Sequence, residues 1–454
     1  MHSELAKILL QRGIAFTYLL AFIAVAHQFV PLLVERGLLP VTDWVKRVPF
    51  SRFPSIFFFY PKDRAFRMTA WLGILISLVV LTGVSEHWAL WFILWLSYLS
   101  FVNVGQTFYS FGWESMLLEA GFLACFLETV NPQNSAIVML LFRWFLFRVM
   151  FGAGLIKLRG DKCWRDLTCL YYHYETQPIP NRLSWYFHWL PKPVHRVGVV
   201  VNHIIELGIP FLYFAPQPIA FWAGMITIGF HAWLTISGNF AFLGFLTMIL
   251  AFSTFGFVAP AFAVPVFSLE SCWIWGLAGV TILLSYFPVK NMVSRDQSMN
   301  FSFNPFHIVG TYGAFGSITR PRFEIIIEGS DNGLDWKEYE FIGKPGNLKR
   351  SGIQIAPYHL RLDWLMWFAA FSSPYQHPWF VRLLGQLMEN RPEILRLMRT
   401  NPFQNKPPAE IRALLYKYQF TTPTQRKMTG NFWQRELVGV YARANMTNRV
   451  ELLG

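Results

Sequence analysis

Charged residues are scarce in this chain of 454 residues. Aspartate, glutamate, lysine and arginine together make up 14%, whereas roughly a quarter is usual in soluble domains. Hydrophobic residues make up 54%, and the mean hydropathy is +0.34. The composition therefore predicts a polytopic membrane protein. The net charge of +13 does not indicate nucleic acid, because the basic residues are scattered over loops and the ends of apolar runs, where lipid headgroups and topology explain them.

Cysteine is also rare, and four cysteines in so long a chain exclude a disulfide framework. Cys163 and Cys169 are separated by five residues. They would reach each other if the backbone turns between them, but not in a straight helix. Three interpretations remain, namely a disulfide, two free thiols, and a metal site completed by His173 and His188. The metal is the weakest, because the spacing matches no zinc pattern.

Apolar runs long enough to cross a hydrocarbon core of about 30 Å recur through the first two thirds of the chain. The first has no small-residue cleavage site behind it, so it is expected to be retained as a span rather than removed as a signal peptide. The predicted spans number about nine: 13–34, 67–84, 87–104, 113–130, 135–157, 197–215, 217–236, 240–262 and 271–289.

After about residue 290 the composition changes. Two β-rich runs within 323–341 are joined through Asp331-Asn332-Gly333, which is hairpin turn chemistry. Helical periodicity is predicted at 362–370, 379–398 and 410–418. The fold class is therefore an all-α polytopic bundle over residues 1–295, with a polar loop at 157–196, followed by a water-exposed α+β domain over residues 296–454.

Four charged residues lie inside the fourth and fifth predicted spans. Glu114 and Glu119 are on one span and Arg143 and Arg148 on the next, and a short turn makes the two spans an antiparallel hairpin. At about 1.5 Å per residue, Glu119 falls at a depth between the two arginines and Glu114 near Arg148. A charge in the membrane needs a partner, so we expect Glu119 to pair with Arg143 or Arg148. A purely structural ion pair and a functional cavity are equally compatible with this pattern.

Lys157 ends the fifth predicted span, where it is either a lysine that snorkels to the headgroups or a desolvated amine able to act as a base. His203 and Glu206 share one face of the sixth span, which suits a hydrogen bond locking two helices better than a catalytic couple. We expect Lys157 at the mouth of a cavity formed by spans four to six, with His203 and Glu206 on its wall. His231, alone in an apolar run, is expected to be a core residue.

Several long segments resemble the lipase maturation factor family. They are Phe111–Leu123, Arg143–Leu158, Cys163–Pro178, Ala356–Ala370, Asn401–Phe403 and Ile411–Tyr418. The resemblance implies a multi-pass protein of the endoplasmic reticulum membrane, or of the plasma membrane in a prokaryote, that helps secreted lipases reach their active form. It implies a chaperone-like role with a lipase or similar client, contact with membrane lipid and no nucleic acid, and a luminal C-terminal domain. Thiol chemistry at Cys163 and Cys169 would assist that role. The chain ends at Glu451-Leu-Leu-Gly454 without an endoplasmic reticulum retrieval tetrapeptide.

A shorter run, Ala153–Leu158 followed by Trp164, is similar to the segment of vitamin K-dependent carboxylases that carries their active-site lysine. Lys157 is the matching position. The main alternative is therefore a membrane enzyme that uses Lys157 as a base on a lipid or quinone, with His203 and Glu206 as further candidates. A transport module lined by the buried charges is a third reading. We favour a non-enzymatic maturation factor, and we expect no cofactor and no metal.

Two features of the sequence predict opposite membrane orientations. With nine spans, the basic loops 36–66 and 157–196 and the C-terminal domain lie on one face, which the positive-inside rule assigns to the cytoplasm. The family resemblance assigns the C-terminal domain to the lumen instead.

Overall fold

The computed structural model describes residues 2–128, 131–256, 268–404 and 406–445. Helices dominate as far as residue 293, and a β-sheet with short helices follows. The α-helices are α1 (His2–Leu33), α2 (Val41–Trp44), α3 (Asp63–Thr82), α4 (Trp88–Val104), α5 (Gly112–Ala124), α6 (Pro132–Arg159), α7 (Lys162–Arg165), α8 (Leu170–Thr176), α9 (Ser184–His188), α10 (Lys192–Leu207), α11 (Ile209–Leu212), α12 (Ile219–Ser237), α13 (Leu243–Ala251), α14 (Leu269–Val293), α15 (Arg361–Ala369), α16 (Pro378–Met388), α17 (Pro392–Leu395) and α18 (Pro423–Thr429).

Five of these helices, α1, α3, α6, α12 and α14, are long and apolar enough to cross a membrane. The predicted count of about nine spans is not confirmed. Helix α4 has 17 residues and α5 has 13. The predicted sixth span is divided at Gly208 into α10 and α11, because Pro210 lacks the backbone N–H that a continuous helix would use. Within the predicted eighth span, α13 has only nine residues, and the end of that span falls outside the described residues.

Helices α1 and α6 are the central elements of the helical part. Helix α1 packs along α3 and also contacts α5 and α13, while α6 contacts α10, α11, α13 and α14. Most of the α6 side chains are buried, in contrast to α14. Aromatic rings fill the space between α1 and its neighbours, as where Phe29 packs against Phe66 and Phe101.

Among its described residues the C-terminal part has six strands, β1 (Arg322–Ser330), β2 (Trp336–Glu338), β3 (Glu340–Phe341), β4 (Met398–Thr400), β5 (Glu410–Phe420) and β6 (Trp433–Asn445). Four of them form an antiparallel sheet in the order β2-β1-β5-β6, and β3 pairs with β4. The predicted hairpin is present, since Ser330 pairs with Trp336 around a turn in which Gly333 has a φ of +72°.

The helix predicted over 410–418 is wrong, because these residues form the central strand β5. Ile411, Ala413 and Tyr418 are buried, and hydrogen-bonded neighbours lie on both sides of the strand. The predicted helix over 379–398 is also shorter than expected. It ends at Met388, and Pro392 begins the separate short helix α17.

The two parts of the chain share one hydrophobic core, whose buried residues run from Ala6 to Ala444. Arg322, at the start of β1, donates to the carbonyl oxygens of Gln177 and Pro178 at 2.5 and 3.0 Å. Trp185 of α9 donates to the Thr421 carbonyl at 2.9 Å. The sheet is thereby held against the polar loop that follows α6.

Candidate functional site

Lys157 lies in the last turn of α6 and is 3% exposed. Its Nζ is 2.5 Å from Oε1 of Glu206 and 3.0 Å from Oδ1 of Asn202. The amide of Asn202 also donates to Glu206 at 3.0 Å. Both partners come from α10, where a separation of four residues puts them on one face. A Cβ at Gly154 would lie 2.7 Å from Leu207, so that glycine permits the close approach of α10 to α6.

Trp164 covers the other side of Lys157, with the ammonium 5.1 Å from the ring centroid. The indole nitrogen donates to the Phe315 carbonyl at 2.8 Å. A ring nitrogen of His203 lies 3.1 Å from the Trp164 carbonyl oxygen. Lys157 is thus enclosed by an ion pair and an aromatic ring, and it is not a lysine exposed at the headgroups.

Cys163 and Cys169 face each other beside Trp164. Their Cα atoms are 4.8 Å apart, their Sγ atoms are in bonding contact, and both side chains are buried. The chain turns between them, since α7 ends at Arg165 and Leu167 has a φ of +58°. A distance of 4.8 Å lies within the range that a disulfide spans.

Asp161 fixes the start of this turn. Its carboxylate accepts from the Cys163 backbone N–H at 3.0 Å and from Arg320 at 2.5 Å. The hydrogen bond from Arg320 holds the pKa of Asp161 well below its usual value. The cysteine turn is therefore tied to the segment that leads into the sheet.

A small cavity of about 50 Å³ lies on the inner side of Lys157. Glu206, His231, Phe240 and Tyr312 contribute to its lining. His231 places Nε2 3.1 Å from the Met150 sulfur, and its Nδ1 has no hydrogen-bond partner within the described residues. Lys157 and Glu206 line this cavity. His203, which was also expected on its wall, does not, because it is directed at the Trp164 carbonyl oxygen.

Glu119 forms an ion pair with Arg148 in which both side chains are buried. Arg148 donates to the Gly310 carbonyl at 2.7 Å, and Tyr312 donates to Glu119 at 2.7 Å. The Gly310 N–H also donates to Glu119 at 3.1 Å. The pair therefore joins α5 to α6 and binds the segment that follows α14, which the sequence did not indicate.

The other two charges have partners that the hairpin argument did not foresee. Glu114 lies 2.6 Å from Arg361 of α15 rather than near Arg148. Arg143 donates to three backbone carbonyl oxygens, those of Ser253, Tyr213 and Gly256, at 2.9–3.0 Å. Arg143 thus donates hydrogen bonds to carbonyl groups at helix ends, which have no partner within their own helix.

A second buried charge cluster was missed because it lies in the sheet. Glu324 of β1 is 2.5 Å from Arg322 and 2.9 Å from Lys344, and all three side chains are buried. Alternation of charged and apolar residues in a strand normally indicates that the charged face is solvated. The sequence pattern therefore indicated exposed charges where the structure has buried ones. Asn202, by contrast, was recognisable from its position four residues before Glu206.

No group of three or more His, Cys, Asp or Glu side chains that could hold a metal occurs within the described ranges.

Comparisons with known proteins cover both parts of the chain. Residues 5–257 match the family model described as lipase maturation factor transmembrane domain, and residues 308–443 match lipase maturation factor C-terminal domain. Mouse lipase maturation factor 1 is 39% identical over 96% of this chain and 86% of its own length. The human lipase maturation factor 1 is also 39% identical, over 96% of this chain and 87% of the relative. Lipase maturation factor 2 of Xenopus tropicalis is 28% identical over 94% and 80%. No solved structure matches the chain.

Proposed function

Because this chain belongs to the lipase maturation factor family, we propose that it is a membrane-embedded maturation factor for secreted lipases or lipase-like clients. The observation that carries the proposal is the 39% identity to lipase maturation factor 1 over 96% of the chain. Five apolar helices and the matching transmembrane family model make it an integral multi-pass membrane protein.

The C-terminal sheet offers a place for an incompletely folded client. Strand β6 forms one edge of that sheet, and the stretch from Gln434 to Val440 is exposed or half-buried, with Leu437 and Val438 exposed. An edge strand presents backbone N–H and C=O groups to which another extended chain can add. Client chains in maturation expose such segments, so we place client contact at β6.

The test of this function is a secretion assay. The full chain is expressed with a secreted lipase in cells whose own lipase maturation factor has been disrupted, and lipase activity per mass of secreted lipase is measured. We expect activity well above that of cells carrying an empty vector. Equal activity in the two would overturn the function.

Client contact at β6 is tested with a variant of that strand in the same assay. Val438→Pro removes a backbone donor from the exposed part of the edge strand, whereas Val438→Thr changes the same exposed side chain and keeps that donor. We expect the first variant to lower lipase maturation and the second to leave it unchanged at equal expression.

We further propose that Cys163 and Cys169 form a disulfide and that the face carrying them lies in an oxidising compartment. In a eukaryotic cell that compartment is the lumen of the endoplasmic reticulum. The close approach of the two cysteines and the contact of their turn with Arg320 support this placement. The basic loops argue for the opposite orientation, but the positive-inside rule is a statistical bias, whereas a disulfide needs an oxidant.

We also propose that the membrane domain ends at residue 295, that the C-terminal domain begins at residue 296, and that shorter helices complete nine passages through the membrane. Asn134, at the start of α6, donates to Glu270, at the start of α14, at 3.2 Å. The two helices therefore run in the same direction, as the three intervening passages of the nine-span count require.

An enzyme that uses Lys157 remains the alternative function, favoured by the enclosed cavity beside this lysine. A base needs an uncharged amine, and the contact with Glu206 would have to open first. Lys157→Arg and Lys157→Ala are compared with the wild type in the secretion assay at matched expression. Full lipase maturation by both would remove the enzymatic alternative, whereas loss of activity in both without loss of folding would establish it over the chaperone.

A further inference from the structure

A cleft of about 380 Å³ opens beside Lys157 between α8, α10 and α12. This volume lies within the range of about 300–1,000 Å³ that small-molecule sites have. The lining is mostly apolar, with Val201, Phe230 and Trp233 among its residues, and it also contains His173 and His195. The cleft adjoins the smaller cavity around His231, and the two share lining residues that include Lys157 and Phe240.

The mouth of the cleft faces the bilayer. Val197 and Val201 of α10 and Trp233 of α12 line it and are exposed. Helix α12 is one of the five candidate membrane spans, and exposed apolar side chains on such a helix lie against lipid. A ligand therefore reaches the cleft laterally from the hydrocarbon layer, and it must carry a long apolar chain.

The inner end of the cleft is polar but carries no net charge. Lys157 and Asn202 line it, and the Glu206 carboxylate balances the ammonium at 2.5 Å. An ammonium has three N–H donors, of which Glu206 and Asn202 accept two. The third has no hydrogen-bond acceptor within the part of the chain that the structure describes, so a ligand oxygen can accept it.

The balance of charge between Lys157 and Glu206 favours uncharged lipid headgroups over anionic ones. A second carboxylate beside Glu206 would be a buried anion without a cation of its own, which is costly in a medium of low dielectric constant. An uncharged carbonyl oxygen accepts the remaining hydrogen bond without that cost. The unpartnered Nδ1 of buried His231, in the adjoining cavity, offers an acceptor for a hydroxyl group on the same ligand.

We propose that this cleft binds one acyl chain of an uncharged, ester-bearing lipid such as a monoacylglycerol, with the ester carbonyl at Lys157 and the hydroxyl groups toward His231. The proposal concerns the membrane helices and does not rest on the lipase role.

The experiment uses the full chain in detergent and a monoacylglycerol with a diazirine in its acyl chain. After irradiation, the labelled residues are identified by mass spectrometry. We expect adducts on residues that line the cleft and few on Ile282 and Leu283 of α14, which are exposed to lipid but line no part of the cleft. Labelling spread equally over α14 would show ordinary solvation by lipid and overturn the proposal.

Two neighbouring valines provide a matched pair of variants. Val201 lines the cleft and is 43% exposed, whereas Val200 does not line it and is 40% exposed. Val201→Trp fills the mouth and should lower cleft labelling about tenfold, as the loss of about 1.4 kcal/mol of binding would. Val200→Trp should leave it unchanged. Equal labelling of the two variants would overturn the assignment of the cleft.

The choice of an uncharged headgroup is tested with the fatty acid of the same photoreactive chain, used at a pH where it is ionised. We expect it to label the cleft about tenfold less than the monoacylglycerol. The double variant Lys157→Met with Glu206→Met removes both charges together and should abolish the preference for the ester over a photoreactive alkane of equal length. A fatty acid that labels as well as the ester, or a preference that survives the double variant, would overturn the role of Lys157.

Discussion

Glu119 and Arg148 show at the residue scale what an ion pair contributes when both members are buried. Their attraction has to offset the removal of two charges from water, so the pair itself adds little to stability. Removing one member is different, because the other charge stays buried without a partner. We expect Glu119→Ala to lower the free energy of unfolding by about 3–5 kcal/mol, measured as thermal stability in detergent.

The control is an ion pair in contact with water. Glu389 and Arg391 are 2.6 Å apart, and Glu389 is exposed while Arg391 is half-buried. Since exposed pairs contribute little, Glu389→Ala should leave the melting temperature almost unchanged. A Glu119→Ala protein that melts with the wild type would contradict the pairing.

His307 is a residue whose protonation opposes folding. Its Nδ1 lies 2.9 Å from the Ser115 hydroxyl and its Nε2 lies 3.1 Å from Oδ1 of Asn103, which a neutral ring satisfies by accepting from the serine and donating to the amide oxygen. Burial lowers the pKa of His307 to about 4. Between pH 6.5 and 4 the unfolded chain binds a proton that the folded chain does not, so stability falls as the pH falls, by about 1.4 kcal/mol per pH unit.

His307→Gln keeps one donor and one acceptor but does not titrate. We expect the melting temperature of this variant to fall less than that of the wild type when the pH is lowered from 6.5 to 4.5. The remaining slope comes from other buried histidines such as His173 and His359, whose pKa values burial also lowers to about 4. Identical slopes for the two proteins would contradict the assignment.

The sequence identified which buried charged residues need a partner, but it did not identify most of those partners. A glutamate in an apolar helix must be paired, and Glu114 and Glu119 are. The partner of Glu114 is Arg361, which is 247 positions away and belongs to the C-terminal part. Counting residues from the turn of one helical hairpin compares the depths of residues within that hairpin alone. It therefore cannot identify a partner that lies in a distant part of the chain.

At the scale of elements, strand β5 shows why periodicity alone was insufficient. The stretch Glu410–Phe420 has apolar residues spaced in a way that fits both one helix face and a strand covered on both sides. Pairing with β1 and β6 decides the outcome, and pairing is a tertiary property. The hairpin of β1 and β2 was predictable, since its Asn-Gly turn is coded locally.

The cysteine turn is an element whose stability can be tested directly. A disulfide across a loop this short restricts the unfolded chain and stabilises the fold by roughly 2 kcal/mol. We expect a reductant to lower the melting temperature of the wild type and to have no effect on Cys163→Ser with Cys169→Ser. Cys272→Ser changes an exposed free cysteine and should respond as the wild type does. A wild type that does not respond to reductant, with both thiols open to labelling after unfolding, would contradict the disulfide.

At the scale of the whole molecule, the C-terminal part packs against the helical part and is not merely joined to it by a linker. Arg322 bonds the loop after α8, Arg361 bonds Glu114 of α5, and one core includes residues from both parts. The cysteine turn and the sheet therefore lie on the same side of the membrane. The nine-span count had already placed the loop and the C-terminal domain on one face, but no sequence pattern indicated that they are in contact.

Two physical signals disagree on which side of the membrane that shared face lies. Basic residues in the loops favour the cytoplasm, and a disulfide requires an oxidising compartment. We expect the lumen. Leu334, in the turn between β1 and β2, is 82% exposed, so Leu334→Cys in a Cys272→Ser background places a reactive thiol on this face. In sealed microsomes a thiol reagent that cannot cross the membrane should label this cysteine only after permeabilisation. Labelling before permeabilisation would put the face in the cytoplasm, and with it the cysteine pair in a reducing compartment where free thiols are expected.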